Sequence, residues 1–317
     1  MIDYILEIHR RLYTQKVLLP NQGYGTLKGK FLICGVRILS TIFNFLLYLG
    51  LYECSPSGKT KSGLVVSFTS YPARIYGVHY VVESILRQNT LPELIVLWLS
   101  SENFPNKEAD LPKKLLNLKS NRFHIEWVDE DLKPHKKYFY TIQKFPDYDF
   151  ITIDDDLFYR KDMIERLVKM HQSNPGMICS NNIHDIKIEN AKVAHYSKWG
   201  RQIINQDSSS YLFLPVGFGG VYYPAHIFDN SDVLNKCNIK ETCLCADDLW
   251  LKVHSLLNNV CVATGAYYSS PIGIKDSEKS ALTLSNVTQS GQSGNDIQWR
   301  KISIKYPVEK RILEHYN

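Results

Sequence analysis

Between Leu64 and Ile153 the chain alternates short, almost wholly apolar runs with stretches of helical spacing, and this alternation constrains the fold more than any other feature. Leu64 to Phe68, Leu94 to Leu99, Phe123 to Val128 and Asp149 to Ile153 read as strands, being short and rich in branched and aromatic residues. Val78, Val81, Val82, Ile85 and Leu86 share one helical face, and His135 to Lys144 has the length of another helix. A strand covered on both faces loses the apolar–polar alternation of a half-exposed one. The runs therefore predict an α/β domain with a mainly parallel, Rossmann-like sheet between helices. A chain of 317 residues can hold one such domain with an appendage, but not two independent enzymes. The expected division is a basic, apolar helical segment over residues 1–60 and one catalytic-sized domain over 61–317. Ser55 to Ser62 would be the linker.

Ligands of such sheets bind beyond the carboxyl ends of the strands, so polar residues directly after a strand are the first candidates for chemistry. Two places qualify: Ser67-Phe68-Thr69-Ser70-Tyr71-Pro72-Ala73-Arg74 after the first run, and Asp154-Asp155-Asp156 after the fourth. Three adjacent carboxylates behind a buried strand repel one another unless something neutralises them. A divalent cation does so. Mn2+ or Mg2+ takes oxygen ligands, commonly one or two carboxylates with diphosphate oxygens. Asp154 and Asp156, two apart, can face one ligand while Asp155 points elsewhere. The structural alternative is that Asp156 or Asp162 caps the helix containing Ile164, Leu167, Val168 and His171.

With these segments in hand, Leu64 to Lys305 resembles bacterial glycosyltransferases of the GT-A type, of the kind found in surface-polysaccharide biosynthesis. The resemblance rests on the two segments above, on Glu130-Asp131-Leu132-Lys133-Pro134-His135-Lys136-Lys137, on Pro215-Val216-Gly217-Phe218-Gly219-Gly220-Val221, and on Ala246-Asp247-Asp248-Leu249-Trp250, in that order. It implies a GT-A-type fold and a nucleotide-sugar donor, with UDP the expected nucleotide. Thr69, Tyr71, Pro72 and Arg74 would hold the nucleotide, with Arg74 reaching a phosphate. Asp131, Lys137, Asp154 and Asp155 would add donor contacts, and Asp154 and Asp156 would bind the metal. Asp247 or Asp248 would take the proton from an acceptor hydroxyl, which makes the expected reaction inverting. His184, Trp199, Gly219 and Gly220 would line the sugar and acceptor pocket. The family's late histidine ligand has no convincing counterpart, since the candidates are His254 and His315. Asn295 and Asp296, after the Gly- and Ser-rich stretch Ser290 to Gly294, are the substitutes considered for that third ligand.

Each assignment has a structural counterpart. Arg74 could be a surface arginine after a proline turn, and Lys136 and Lys137 a solvated helix start. Asp247 or Asp248 could cap the helix formed by Leu249, Val253, Leu256 and Leu257. The glycine segment could be a hairpin turn without a ligand, and His184 and Trp199 could be core residues.

The formal charge of +5 sits mostly in the first 60 residues, where Arg10, Arg11, Lys16, Lys28, Lys30, Arg37 and Lys59 face only Asp3, Glu7 and Glu53. That distribution excludes nucleic acid as the expected partner and points to an anionic membrane surface touched through residues 28–52. Phe31 to Tyr52 is nearly all apolar, with Arg37 its only charge, and approaches the roughly 20 residues of a span. Lying in the interface, packing on the catalytic domain and spanning are ranked in that order. The seven cysteines, Cys34, Cys54, Cys179, Cys237, Cys243, Cys245 and Cys261, show no zinc spacing and read as reduced thiols. The sequon Asn286-Val287-Thr288 would matter only in a secretory compartment. The expected place is the cytoplasm, at the inner face of the cell membrane. The acceptor would be a glycan or lipid-linked glycan. The rival functions are nucleotidyl transfer, which would call for a glycine-rich phosphate loop that the first strand lacks, and sugar or nucleotide binding without turnover.

Overall fold

The computed structural model describes residues 1–19, 23–52, 58–201, 207–266, 268, 271–275 and 294–316. Two helices, α1 (Ile2–Val17) and α2 (Leu27–Tyr48), precede the sheet. They are followed by β1 (Lys59–Thr69), α3 (Val78–Leu86), β2 (Thr90–Ser100), the single turn α4 (Lys113–Leu116), β3 (Phe123–Val128), α5 (Lys136–Lys144), β4 (Asp149–Thr152), β5 (Leu157–Phe158), α6 (Met163–Ser173) and β6 (Ile178–Ser180). The predicted strands and helices all form, with ends displaced by a few residues. The expected linker is shorter than supposed. β1 already begins at Lys59, because its first residues pair with Thr90 to Pro92 of β2.

Eight strands make the central sheet. Their order is Ser208–Ser210, Val262–Thr264, β6, Val221–Tyr223, β4, β1, β2, β3. β1 lies parallel to β2 and β4, β2 parallel to β3, and Val262–Thr264 parallel to β6. Val221–Tyr223 runs antiparallel between β4 and β6 and joins the two parallel halves. This is the mainly parallel, Rossmann-like sheet that the sequence predicts, flanked by helices and preceded by an apolar helical segment.

Leu64, Val65, Val66 and Phe68 of β1 are all fully buried, which is why that run shows no alternation. Val66, Ile95 and Ile151 face Val78, Val82 and Ile85 of α3 on one side of the sheet. Val65, Val96 and Phe150 face Tyr138 and Phe139 of α5 on the other. Each fully buried large side chain contributes about 1.5–3 kcal/mol relative to exposure. A third cluster joins Ile2, Ile5, Phe43, Leu46 and Leu47 of the N-terminal helices to Phe158 and Ile272. The two N-terminal helices are therefore packed on the domain by one face.

Candidate active site

The acidic triplet leaves β4 at the sheet's carboxyl edge and enters a turn. Asp155 is directed inward, where Ser70 Oγ donates to Oδ2 at 2.6 Å and Arg74 Nη1 to Oδ1 at 2.7 Å. Burial pushes the Asp155 carboxyl above its usual range, while Arg74 and Ser70 oppose the rise. Asp154 and Asp156 lie on the open side, with side-chain exposures of 34% and 21%. The division of two outward acids and one inward one survives the turn because the backbone is pinned. The Asp154 amide donates to Tyr159 Oη at 2.9 Å, and the Asp156 carbonyl accepts from the Ile274 amide at 2.8 Å.

Lys137 stands at the centre. Its Nζ lies 3.3 Å from Asp154 Oδ1 and 2.9 Å from Asp247 Oδ2. Burial alone would lower the Lys137 pKa, but Asp247, Asp154 and Asp248 outweigh it and hold the ammonium charged. The first turn of α5 is itself anchored: Ser67 Oγ donates to the Lys137 carbonyl at 2.5 Å, tying the helix to β1. Buried His135 is kept neutral, its pKa lowered to about 4 by burial. It bridges Tyr138 Oη at 2.8 Å and the Cys243 carbonyl at 2.7 Å, just before Asp247. The solvated helix start considered for Lys136 and Lys137 is thus not what forms.

Asp247 and Asp248 open the helix Asp247–Leu257, but neither caps it. The cap position is Ala246, without a side-chain cap bond. Asp248 Oδ2 instead accepts the Gly217 amide at 3.3 Å. Burial and the neighbouring Asp247 raise the Asp248 carboxyl well above the ordinary carboxylate range. Burial and Asp154 raise Asp156 in the same direction. The Asp162 cap is likewise not made, since its side chain pairs with Arg160 and Tyr268.

The glycine segment closes the site from the side. A Cβ on Gly217 would stand 3.2 Å from Asp154 Oδ1, 3.3 Å from Lys137 Nζ and 3.5 Å from Asp248 Oδ1. Gly219 packs against Asn182, and Gly220 has φ of +85°, which suits glycine.

Other expected site residues lie differently. Arg74 does not reach outward, because its guanidinium is engaged by Asp155 and, at 3.1 Å, by Asp156. Asp131 is held by Lys133 at 2.8 Å and by Lys136. Burial would raise it, yet the two lysines keep it far below its usual value. Thr69 Oγ1 donates to the Trp98 carbonyl at 2.8 Å, while Tyr71 is half-buried and Pro72 exposed at the loop surface. Trp199 is 3% exposed, its indole N–H donating to the Ala194 carbonyl and its ring packed on Trp299. It is a core residue and offers no face for stacking. His184 faces Tyr196 Oη at 3.2 Å.

The third-ligand candidates also lie elsewhere. Asp296 accepts the Tyr196 amide at 2.7 Å, His254 is buried against Trp250, and His315 stacks on Tyr211. Asn295 and Asp296 lie in the first turn of the helix Gly294–Lys305. The preceding residues 290–293 and the sequon lie outside the described residues. Among the described residues, no three His, Cys, Asp or Glu side chains converge as a preformed metal cage. What the centre does hold is five carboxylates, Asp154, Asp155, Asp156, Asp247 and Asp248, against the cations Lys137 and Arg74. Two outward carboxylate groups with excess negative charge fit a hard divalent cation that draws its remaining ligands from substrate and water. Ser70, Tyr159 and His135 received no role from the sequence. Ser70 and His135 stood inside the singled-out segments, but nothing in spacing marks which side chain turns inward.

No protein-family model matches the chain, and no curated protein matches its sequence. Solved structures similar to it include CMP:2-keto-3-deoxy-manno-octonic acid synthetase complexed with CTP, at 8% identity and TM-score 0.41 over 72% of this chain and 98% of that one. The UTP-bound UGPase from Acinetobacter baumannii matches at 11% identity and TM-score 0.40, over 78% and 99%. S. aureus TarS residues 1–349 match at 12% identity and TM-score 0.41, over 68% and 59%. Similarity this low identifies no function.

Proposed function

We propose that the chain is a metal-dependent glycosyltransferase that moves a sugar from a nucleotide-sugar donor, with UDP the nucleotide, to a hydroxyl of a glycan or lipid-linked glycan. The observation that carries the reading is the bridge made by Lys137, which gathers Asp154 from the end of β4 and Asp247 from the start of a distant helix into one centre. A bound Mn2+ or Mg2+, held by Asp154 and Asp156, would offset charge on the departing diphosphate. Asp248 is the general base. Asp247 is committed to Lys137, whereas Asp248 makes no ion pair among the described residues and accepts the Gly217 amide. The acceptor O–H proton passes to Asp248 as the oxygen bonds to the anomeric carbon. The bond from that carbon to the diphosphate oxygen breaks, and its electron pair leaves with the diphosphate. Direct displacement of this kind inverts the anomeric carbon.

The test is release of nucleoside diphosphate from a panel of nucleotide sugars, with and without Mn2+. We expect metal-dependent release in the wild type, lost in Asp156→Ala, with inorganic pyrophosphate never formed from nucleoside triphosphate plus sugar phosphate. Pyrophosphate formation would instead make the chain a nucleotidyltransferase. Donor binding without any release would make it a binding protein.

A further inference from the structure

We propose that the outer face of α2 docks on an anionic lipid bilayer and lies along it, so that the acidic centre is held at a membrane surface. The inference stands on the surface of α2 and is independent of the reaction proposed above. Leu27, Phe31, Ile38, Ile42, Phe45 and Tyr48 recur at the three- and four-residue spacing of one helical stripe and are 43% to 77% exposed. The stripe runs the length of a 22-residue helix, about 33 Å at 1.5 Å per residue. Isolated exposed apolar residues need no explanation, but a continuous stripe of this length marks an interaction surface.

Charge selects the occupant. α2 contains no acidic residue, and Lys28, Lys30 and Arg37 flank the stripe, all exposed and making no ion pair among the described residues. The acids of α1 are already engaged: Asp3 pairs with Arg87 and Lys161, and Glu7 with Arg10, Arg11 and Arg160. An apolar stripe edged by unpaired cations is complementary to an anionic headgroup layer above acyl chains.

The opposite face of α2 decides between lying and spanning. By length and composition alone the helix could cross a membrane. However, Phe43, Leu46 and Leu47 are buried against Phe158 and Ile272 of the globular domain. Asn44 fixes the helix further, its Nδ2 donating to the Gly273 carbonyl at 3.0 Å and its Oδ1 accepting the Lys275 amide at 2.8 Å. Between those residues, Ile274 donates to the Asp156 carbonyl. A helix so attached cannot be surrounded by lipid without uncovering this cluster, and it offers the bilayer one face. The same attachment fixes the docking face relative to Asp156.

The full chain is sedimented with vesicles of phosphatidylcholine alone and of phosphatidylcholine with phosphatidylglycerol. We expect binding to the anionic vesicles, weakening as salt is raised and nearly absent for the neutral ones. The triple variant Lys28→Gln, Lys30→Gln, Arg37→Gln should bind at least about tenfold more weakly. Phe31→Ser with Ile38→Ser and Phe45→Ser should lose a similar factor at an unchanged melting temperature. The charge variant alters only exposed residues and keeps the test valid if the apolar variant folds poorly. Absent vesicle binding, equal binding to both vesicle types, or wild-type binding by the charge variant would overturn the proposal. So would a soluble dimer that the apolar variant dissociates, or membrane-bound chain that resists alkaline extraction.

Discussion

Among the described residues, Lys137 is the cation that compensates Asp154, Asp247 and Asp248 together, and it is buried beside Asp247. Removing one partner of a buried charge set leaves the others uncompensated, a change that destabilises by about 3–5 kcal/mol. Lys137→Met should therefore lower stability by that order in urea denaturation and abolish donor turnover. A variant of wild-type stability would show that the ammonium does not hold the centre. Gly217→Ala is a milder probe of the same point. Its backbone is in an ordinary conformation, so folding should be retained within about 1 kcal/mol. The added carbon stands 3.2 Å from Asp154 Oδ1 and 3.3 Å from Lys137 Nζ, and displacing those groups should reduce turnover by about tenfold. Equal turnover in G217A and wild type would exclude that role for the close approach. A second buried lysine behaves in the opposite way. Lys252 is fully buried with Nζ unpartnered among the described residues, and burial lowers its pKa to about 7. Between about 7 and its ordinary value of 10.5 the unfolded chain binds the proton and the folded chain does not, so this residue makes stability rise with pH across that window. Lys252→Met should be more stable at neutral pH by roughly 1–3 kcal/mol and should lose the alkaline rise, as read from melts between pH 7 and 10.

At the scale of elements, the strands and helices around the first half of the sheet were legible because their burial is imprinted on composition: Leu64 to Phe68 is apolar but for Ser67, Leu94 to Leu99 is apolar throughout, and α3 carries its core stripe at helical spacing. The acidic triplet was legible for the same reason, since a charge run directly after a buried strand needs compensation. The partners that compensate it were harder to read. Ser70 and Arg74 turn toward Asp155 because the loop after β1 folds back over the triplet, and that depends on the parallel pairing of β1 with β4. Trp199 misled because an aromatic ring suits a sugar or a core equally well, and only packing on Trp299 distinguishes the two. The short strands from Ile183 onward carry two or three residues each, too few for a periodicity. Among them Val221–Tyr223 depends on the turn before it. Gly220 combines φ of +85° with a Cβ position 2.9 Å from Met163 Sδ. Gly220→Ala should therefore cost roughly 1–3 kcal/mol through strain and crowding, measurable as a lower melting temperature. A neutral result would mean that the antiparallel strand tolerates a shift in its entry turn.

For the molecule as a whole, the N-terminal helices join the surface and the acidic centre through one physical chain. Phe43 meets the Phe158 ring edge-on, Asn44 clamps the Gly273 and Lys275 backbone, and Ile274 holds the Asp156 carbonyl. A chain beginning at Gly58 would leave Phe158 and Ile272 uncovered and release the strand that supports Asp156. Burying a large apolar side chain contributes about 1.5–3 kcal/mol, so uncovering this pair should cost several kcal/mol before the hydrogen bonds are considered. The truncated chain should melt at lower temperature and lose the stabilisation that the proposed metal and nucleotide sugar should confer on the full chain. The triple charge substitution on the outer face of α2 should change neither quantity, because Lys28, Lys30 and Arg37 touch nothing in the cluster. The two variants separate the two faces of one helix: the inner face, packed against the domain, and the outer face, proposed to meet the bilayer. If the truncated chain kept both its melting temperature and its ligand response, the acidic centre would not depend on the N-terminal helices, and a membrane contact there would position the protein without supporting the proposed chemistry.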